Sequence, residues 1–292
     1  MMVGPKKRAI VVRSNDEFVT KVEDVKLLKD KYPIIGVPFI RGAINLISTM
    51  AVGVRALMFS AEQIPEDEQE EPSKFEKWLD KKVGSENFEK AIVTISVVIG
   101  VALAVGLFML LPTFLAGFAS RFIENRILMN LVEGALRIII FLIYMWLATR
   151  LNDMKRVWGY HGAEHKAIFC YEKGLPLTVE NVKAQSRIHP RCGTSFMFIV
   201  MLVSILVFSF TSWDNVWIRI ILRILLLPVV ISISYEIIRL AGRRDNFFTR
   251  FISAPGRALQ KLTTQEPDTE MIETAIEALT LVLPENTDEA QW

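Results

Sequence analysis

From Ala91 to Gly117 the chain carries no charge for 27 residues, interrupted only by Pro112. At about 1.5 Å per helical residue that run is long enough to cross a hydrocarbon core of about 30 Å. Thr194 to Trp213 reads as a second clear span. Leu131 to Thr149 and Ile220 to Ile238 complete four, less cleanly, because Glu133, Arg137, Arg223 and Glu236 lie inside them or at their margins. Ile34 to Ala61 is also apolar, but Arg41 and Arg55 leave only 13 uncharged residues between them. That is roughly 20 Å of helix, short of a crossing, and predicts an interfacial or re-entrant helix. The expected fold class is therefore mainly α: a polytopic α-helical membrane protein of about four spans.

Polar sequence has its own patterns. “AIVVRSNDEFVTKVEDV” alternates around Ser14 to Asp16 and predicts a small β-hairpin. “EPD” at 266–268 offers Asp268 as N-cap to a helix whose Ile272, Ile276, Leu279 and Leu283 form one stripe, and “APG” at 254–256 predicts a break before it. The expected organisation is a hairpin region (1–33), the interfacial helix (34–61), an acidic linker (62–90), a membrane domain with the loop 151–193 (91–253), and a C-terminal amphipathic helix (254–292). The hairpin, the loop and the C-terminal helix would build a small cytoplasmic α/β face.

Composition agrees with a bilayer-embedded chain: 51% of the residues are hydrophobic. No signal peptide is expected, since Lys6, Lys7 and Arg8 come without an apolar core of suitable length. Segments 61–90, 151–193 and 239–261 hold five, seven and six Lys and Arg residues, against two and none in 118–127 and 212–216. The positive-inside rule then places both termini and 151–193 in the cytoplasm. Net charge is +2 and the acidic run Glu66 to Glu71 reads as solvated linker, so no nucleic-acid partner is expected. Cys170 and Cys192 fall on the reducing side, where a metal ligand or buried thiol is the usual state. Trp213 and Trp217 read as interfacial anchors, and Pro112 and Pro228 as kinks.

The candidate chemistry lies in “GYHGAEHKAIFCYEKG”. All three histidines, His161, His165 and His189, fall within 29 residues, and Cys192 follows three beyond the last. His161, Glu164 and His165 stand at i, i+3 and i+4, one face of a helix, in the order of the inverted zincin motif, where two imidazoles hold zinc and the glutamate polarises water. “HPRC” supplies His189 and Cys192 at the start of the third span. Four protein ligands would make a closed structural site with Glu164 orienting a ring. Three would leave an open position with Glu164 as general base. Zinc, or another divalent transition metal, is the expected cofactor. Glu236, near the cytoplasmic end of the last span, reads as an oxygen ligand, an acid/base, or a partner of Arg239, while Glu133 and Arg137 are spaced to pair.

“YHGAEHKAIFCYE” with “HPRCGTSF”, together with “PFIRG” at 38–42, “SYEIIRLAGR” at 234–243 and “LQKLTTQEPD” at 259–268, resembles the YqhQ-like family of bacterial polytopic membrane proteins. The resemblance covers nearly the whole chain. It implies a multi-pass protein of the bacterial cytoplasmic (inner) membrane and no particular reaction. Members of that family begin with a glycine-rich element, “GGQAVIEGVMMRG”, to which only “MMVGP” corresponds here, so a truncated or shifted start is expected.

Two functions follow from the residues. The leading one is a zinc-dependent hydrolase or peptidase at the cytoplasmic membrane interface, with His161, His165 and His189 as ligands and Glu164 activating water. The other is a non-catalytic assembly or insertion factor, in which a closed metal site staples 151–193 and helix 34–61 contacts membrane-protein clients.

Overall fold

The computed structural model describes residues 1–15, 17–25, 36–65, 74–83, 85–119, 121–189, 192–211, 215–243 and 247–284. In chain order the elements are strands β1 (Met2–Val3), β2 (Lys7–Ser14) and β3 (Glu17–Asp24), then helix α1 (Arg41–Ala61). Helices α2 (Lys74–Val83) and α3 (Ser85–Val105) follow, then a π-helical turn, Gly106–Leu110, and α4 (Leu111–Ala119). The rest is helical: α5 (Arg126–Ala148), α6 (Asn152–Glu172), α7 (Val179–Lys183), α8 (Thr194–Phe208), α9 (Val216–Arg243), α10 (Phe247–Thr263) and α11 (Thr269–Thr280). Residues 1–63 and 143–292 form one compact unit and 64–142 another.

In the first unit the predicted hairpin is present. β2 lies between β1 and β3, antiparallel to both, and Ser14 pairs with Glu17 across a turn at Asn15, whose φ is +47°. Asn tolerates that left-handed conformation better than most residues. Met2, Ala9 and Val11 point inward onto Ile272, Leu279 and Val282 of the α11 region and Ala163, Ala167 and Cys170 of α6. Asp268 caps α11 as expected, its carboxylate accepting from Met271 N at 2.8 Å. The predicted stripe packs inward, with Ile272 and Leu279 buried and Ile276 and Leu283 against them.

Small residues let α6 approach its neighbours. A Cβ on Gly162 would stand 2.1 Å from Gln265 O, and one on Gly159 would stand 2.6 Å from Met271 Sδ. Gly174 (φ +65°) ends α6, and Leu175 N–H donates back to Cys170 O at 3.1 Å, a closure that favours glycine. On the apolar side of this unit, Ile199, Val203 and Phe208 of α8 pack on Val230 of α9. α1 meets α9 at Gly42, where a Cβ would lie 2.7 Å from Ser232 Cα and 2.8 Å from Tyr235 Cβ.

In the second unit the kink expected at Pro112 takes the form of the π turn just before it. Glu133 and Arg137 pair as their spacing predicts, Nη2 to Oε1 at 3.2 Å, and both are buried.

Among the described residues four helices are long and apolar enough to cross a membrane: Arg41–Ala61, Ala91–Ala119, Ile127–Ala148 and Trp217–Leu240. The number agrees with the sequence reading but the membership differs. Arg41 is the first residue of α1 and does not interrupt it, so the helix runs 21 residues. Conversely α8 ends at Phe208 after 15 residues, and Trp213 lies outside the described residues.

Other expectations need correction. “APG” does not break the chain, for α10 runs through Pro255. Segment 151–193 is largely the helices α6 and α7 rather than a loop. Within the linker, Lys74–Val83 is helical, while Glu66 to Glu71 lie outside the described residues.

Candidate metal centre

α6 sorts its side chains by face. Gly159, Gly162, Ala163, Ala167 and Cys170 turn toward α11 and the hairpin, leaving His161, His165, Phe169 and Glu172 on a second face. Along that second face lie Arg187, His189, Cys192 and the end of α10. Arg187 O accepts from His165 Nδ1 at 2.6 Å, and Thr263 O accepts from His161 Nδ1 at 2.8 Å. A carbonyl only accepts, so each Nδ1 carries a proton and each Nε2 is the remaining ring nitrogen. Those positions converge on Cys192: its Sγ is 3.3 Å from His161 Nε2, and the ligand atoms of His161, His165 and Cys192 all lie within 4.8 Å of one another.

The sulfur sits in a donor-rich corner. Thr194 N and Oγ1, at the first turn of α8, reach it at 3.5 and 3.4 Å. Burial by itself would push the Cys192 thiol up, but the bonds to His161 and His165, the charge of His165 and the Thr194 hydroxyl together bring it down to about 5. Burial pulls His161 down, yet the Cys192 sulfur, the Thr263 carbonyl and the Glu164 carboxylate leave it raised. Cys170 is raised, chiefly by burial. In metal-free protein, iodoacetamide is therefore expected to alkylate Cys192 at pH 6 and to slow only as pH falls through about 5, with Cys170 unmodified at pH 7. A Cys192 reaction that already fades below pH 8 would mean that the two imidazoles do not hold its thiolate.

His189 is not part of this trio. Its Nε2 meets Glu172 Oε2 at 3.2 Å and its ring stacks edge-on to Phe169 at 4.5 Å. Gln260, fully buried, fixes that placement by clasping the His189 backbone: His189 N donates to Oε1 at 2.8 Å and Nε2 donates to His189 O at 2.9 Å. Glu164 lies outside the trio, with Oε1 3.1 Å from the Met1 amino group. Glu236 is not in this group. It holds Arg41 of α1, accepting from Nε at 2.6 Å and also from Nη2, and the charge of Arg239 acts on it as well.

Several residues that shape the centre left no mark in the sequence reading. Lys166, buried, donates to Lys183 O at 2.9 Å and Gln185 O at 2.8 Å and pairs with Glu266 at 2.9 Å. Arg187 Nη1 donates to Thr264 O. A lysine between His165 and Ala167 on an otherwise small-residue face was the one available signal. Gln260 and Thr263 act on or through backbone atoms, which impose no spacing pattern.

The donor set fits zinc: two imidazoles with their distal nitrogens oriented by carbonyls, and one thiol poised as thiolate.

A Bacillus subtilis (strain 168) protein with the name “Uncharacterized protein YqhQ” is 36% identical over 248 residues, covering 85% of this chain and 77% of its own length. No solved structure matches the chain. Residues 37–285 match the family described as “Protein of unknown function (DUF1385)”, and the chain belongs to that family.

Proposed function

We propose that this membrane protein is a zinc-dependent hydrolase or peptidase-like enzyme of the bacterial cytoplasmic membrane. Its termini and metal centre face the cytoplasm. The orientation rests on the Lys and Arg asymmetry of the short loops. The chemistry rests on one observation: three candidate ligands converge and the fourth, His189, is turned to Glu172. His161 Nε2, His165 Nε2 and Cys192 Sγ would hold the metal. Zinc with three protein ligands and an open position supplies Lewis acidity for water or a carbonyl.

The chain's own groups do the rest. Arg187 O and Thr263 O keep both rings in the ligating tautomer, and Thr194 steadies the thiolate. Glu164, one residue from His165 and close enough to raise His161, is the general base of this reading. Cys192 lies two residues before α8, on the apolar edge, so a substrate would be met where membrane and water join.

The competing assembly-factor reading draws on that same position, because the trio ties α6 to the start of α8. Metal analysis with X-ray absorption on the purified protein separates the two. One zinc per chain is expected, bound by two imidazoles, one sulfur and one light atom from solvent, and His189→Ala should retain it. Loss of zinc in His189→Ala would make the site closed and overturn the enzyme. Glu164→Gln should keep the metal yet fail to complement a chromosomal deletion, whereas a staple would tolerate that change.

A further inference from the structure

We infer that α1 lies in the plane of the membrane, seated in the headgroup and acyl boundary of the leaflet on the side of the metal centre. Its contact surface is a charge-free stripe of Ile40, Ile47, Met50, Val54 and Leu57. Length and hydropathy alone would let this helix cross, and its two ends decide otherwise.

At the N-terminal end, Arg41 is held by Glu236 and Asn45 Nδ2 donates to Tyr235 Oη at 3.0 Å, both near the C-terminal end of α9. α10 comes next in the chain and reaches the metal centre through Gln260 and Thr263. At the C-terminal end of α1, Gln63 O accepts from Ser14 Oγ at 2.8 Å, and Lys21 Nζ lies 5.4 Å from the Phe59 ring centroid. Ser14 and Lys21 belong to the hairpin, which is bound to α11 by Arg13 and Glu273 at 2.8 Å. Its Lys7, Arg8, Arg13, Glu17, Lys21 and Glu23 cannot enter hydrocarbon. A crossing helix would put the hairpin tip on the opposite side from α11 and α6, which these bonds forbid.

The side-chain pattern agrees. At about 100° per residue the stripe occupies an arc of roughly 100°, and Ile47, Met50 and Leu57 are exposed. Arg41, Asn45, Ser48 and Arg55 fall outside that arc. The turn before α1 adds to the surface. Phe39 has φ +69° and is 64% exposed. Val37, likewise exposed, continues the patch. The stripe is contiguous in composition with the exposed apolar side of α9, at Leu225, Val229 and Leu240, so one lipid phase suits both. α1 thereby sets the height of the hairpin, and of the metal centre bonded to it, over the bilayer. None of this depends on the metal.

The test is a depth profile of the full chain in nanodiscs of phosphatidylethanolamine and phosphatidylglycerol. A nitroxide is placed by bioorthogonal chemistry at Ile47, Met50, Val54 or Leu57, with both native cysteines retained. Collision rates with oxygen and with a water-soluble nickel chelate give the depth of each label. All four are expected within about one helical turn, roughly 5 Å, of a common shallow depth, with a label at Arg55 nearer water. A crossing helix would separate Ile47 and Leu57 by about 15 Å of depth and overturn the inference. So would labels shielded from both relaxants, which would mean a protein partner on the stripe, or labels open to nickel throughout, which would mean water.

Discussion

His165→Ala is expected to empty the metal centre and to remove the zinc dependence of the melting temperature. His165 is only 5% exposed, its Nε2 completes the trio and its Nδ1 satisfies Arg187 O. Two losses therefore add. A half-buried carbonyl left without its donor costs part of the about 1–3 kcal/mol that a fully buried one would. Any metal bound only by the folded chain also contributes RT ln(1 + [L]/Kd), about 2.7 kcal/mol at a hundredfold excess over Kd. The first loss would occur without any metal, so the zinc titration carries the test. Added zinc should raise the melting temperature of the parent and leave that of His165→Ala unmoved. His189→Ala, which removes a neighbouring buried imidazole outside the trio, should still respond. If His165→Ala retains one zinc per chain, or responds to zinc like the parent, the three residues are an ordinary polar network.

What could be read from the sequence followed from periodicity. His161 and His165 share a face because α6 is a helix, and the spacing alone said so. The hairpin, the Asp268 cap and the α11 stripe were legible for the same reason, each being a local pattern of about 20 residues or fewer. The choice between His189 and Cys192 was not legible. It depends on where His189 is held against α6, and that placement is set by Gln260, 71 positions beyond it, binding backbone atoms rather than a patterned side chain. The start of α1 was missed for a related reason. A charge count treats Arg41 as an interruption, whereas here it begins α1 and is neutralised by Glu236, 195 residues away. Glu236 itself looked chemical because a carboxylate in a span must have a partner, and its hydrogen-bonded partner, Arg41, lies on a distant helix in addition to the nearby charge of Arg239.

The second large effect is expected inside the membrane unit, where Arg137→Leu should destabilise the pairing of α4 with α5 by about 3–5 kcal/mol, the usual penalty for abandoning a buried charge. The reason begins at Pro112, which has no N–H to give Phe108 O, its partner four residues back. Leu111 N–H, just before the proline, makes the longer bond of the π turn to Gly106 O. Arg137 Nε donates to Phe108 O at 3.0 Å. That brings a cation into the span, and Glu133 neutralises it at 3.2 Å while accepting from Thr113 Oγ1 at 2.7 Å. One imino acid thus accounts for both charges of the second span. The account predicts an order of stabilities in detergent-resistance or thermal melts. Arg137→Leu alone is worst, because Glu133 is left charged and Phe108 O loses the Arg137 donor. Adding Glu133→Gln relieves the charge while keeping an acceptor for Thr113. Adding Pro112→Ala as well restores an N–H to Phe108 O and should recover most of the remainder. Were Glu133→Gln to bring no recovery in the Arg137→Leu background, the pair would not be answering to a proline in the neighbouring span, and its charges would need another explanation.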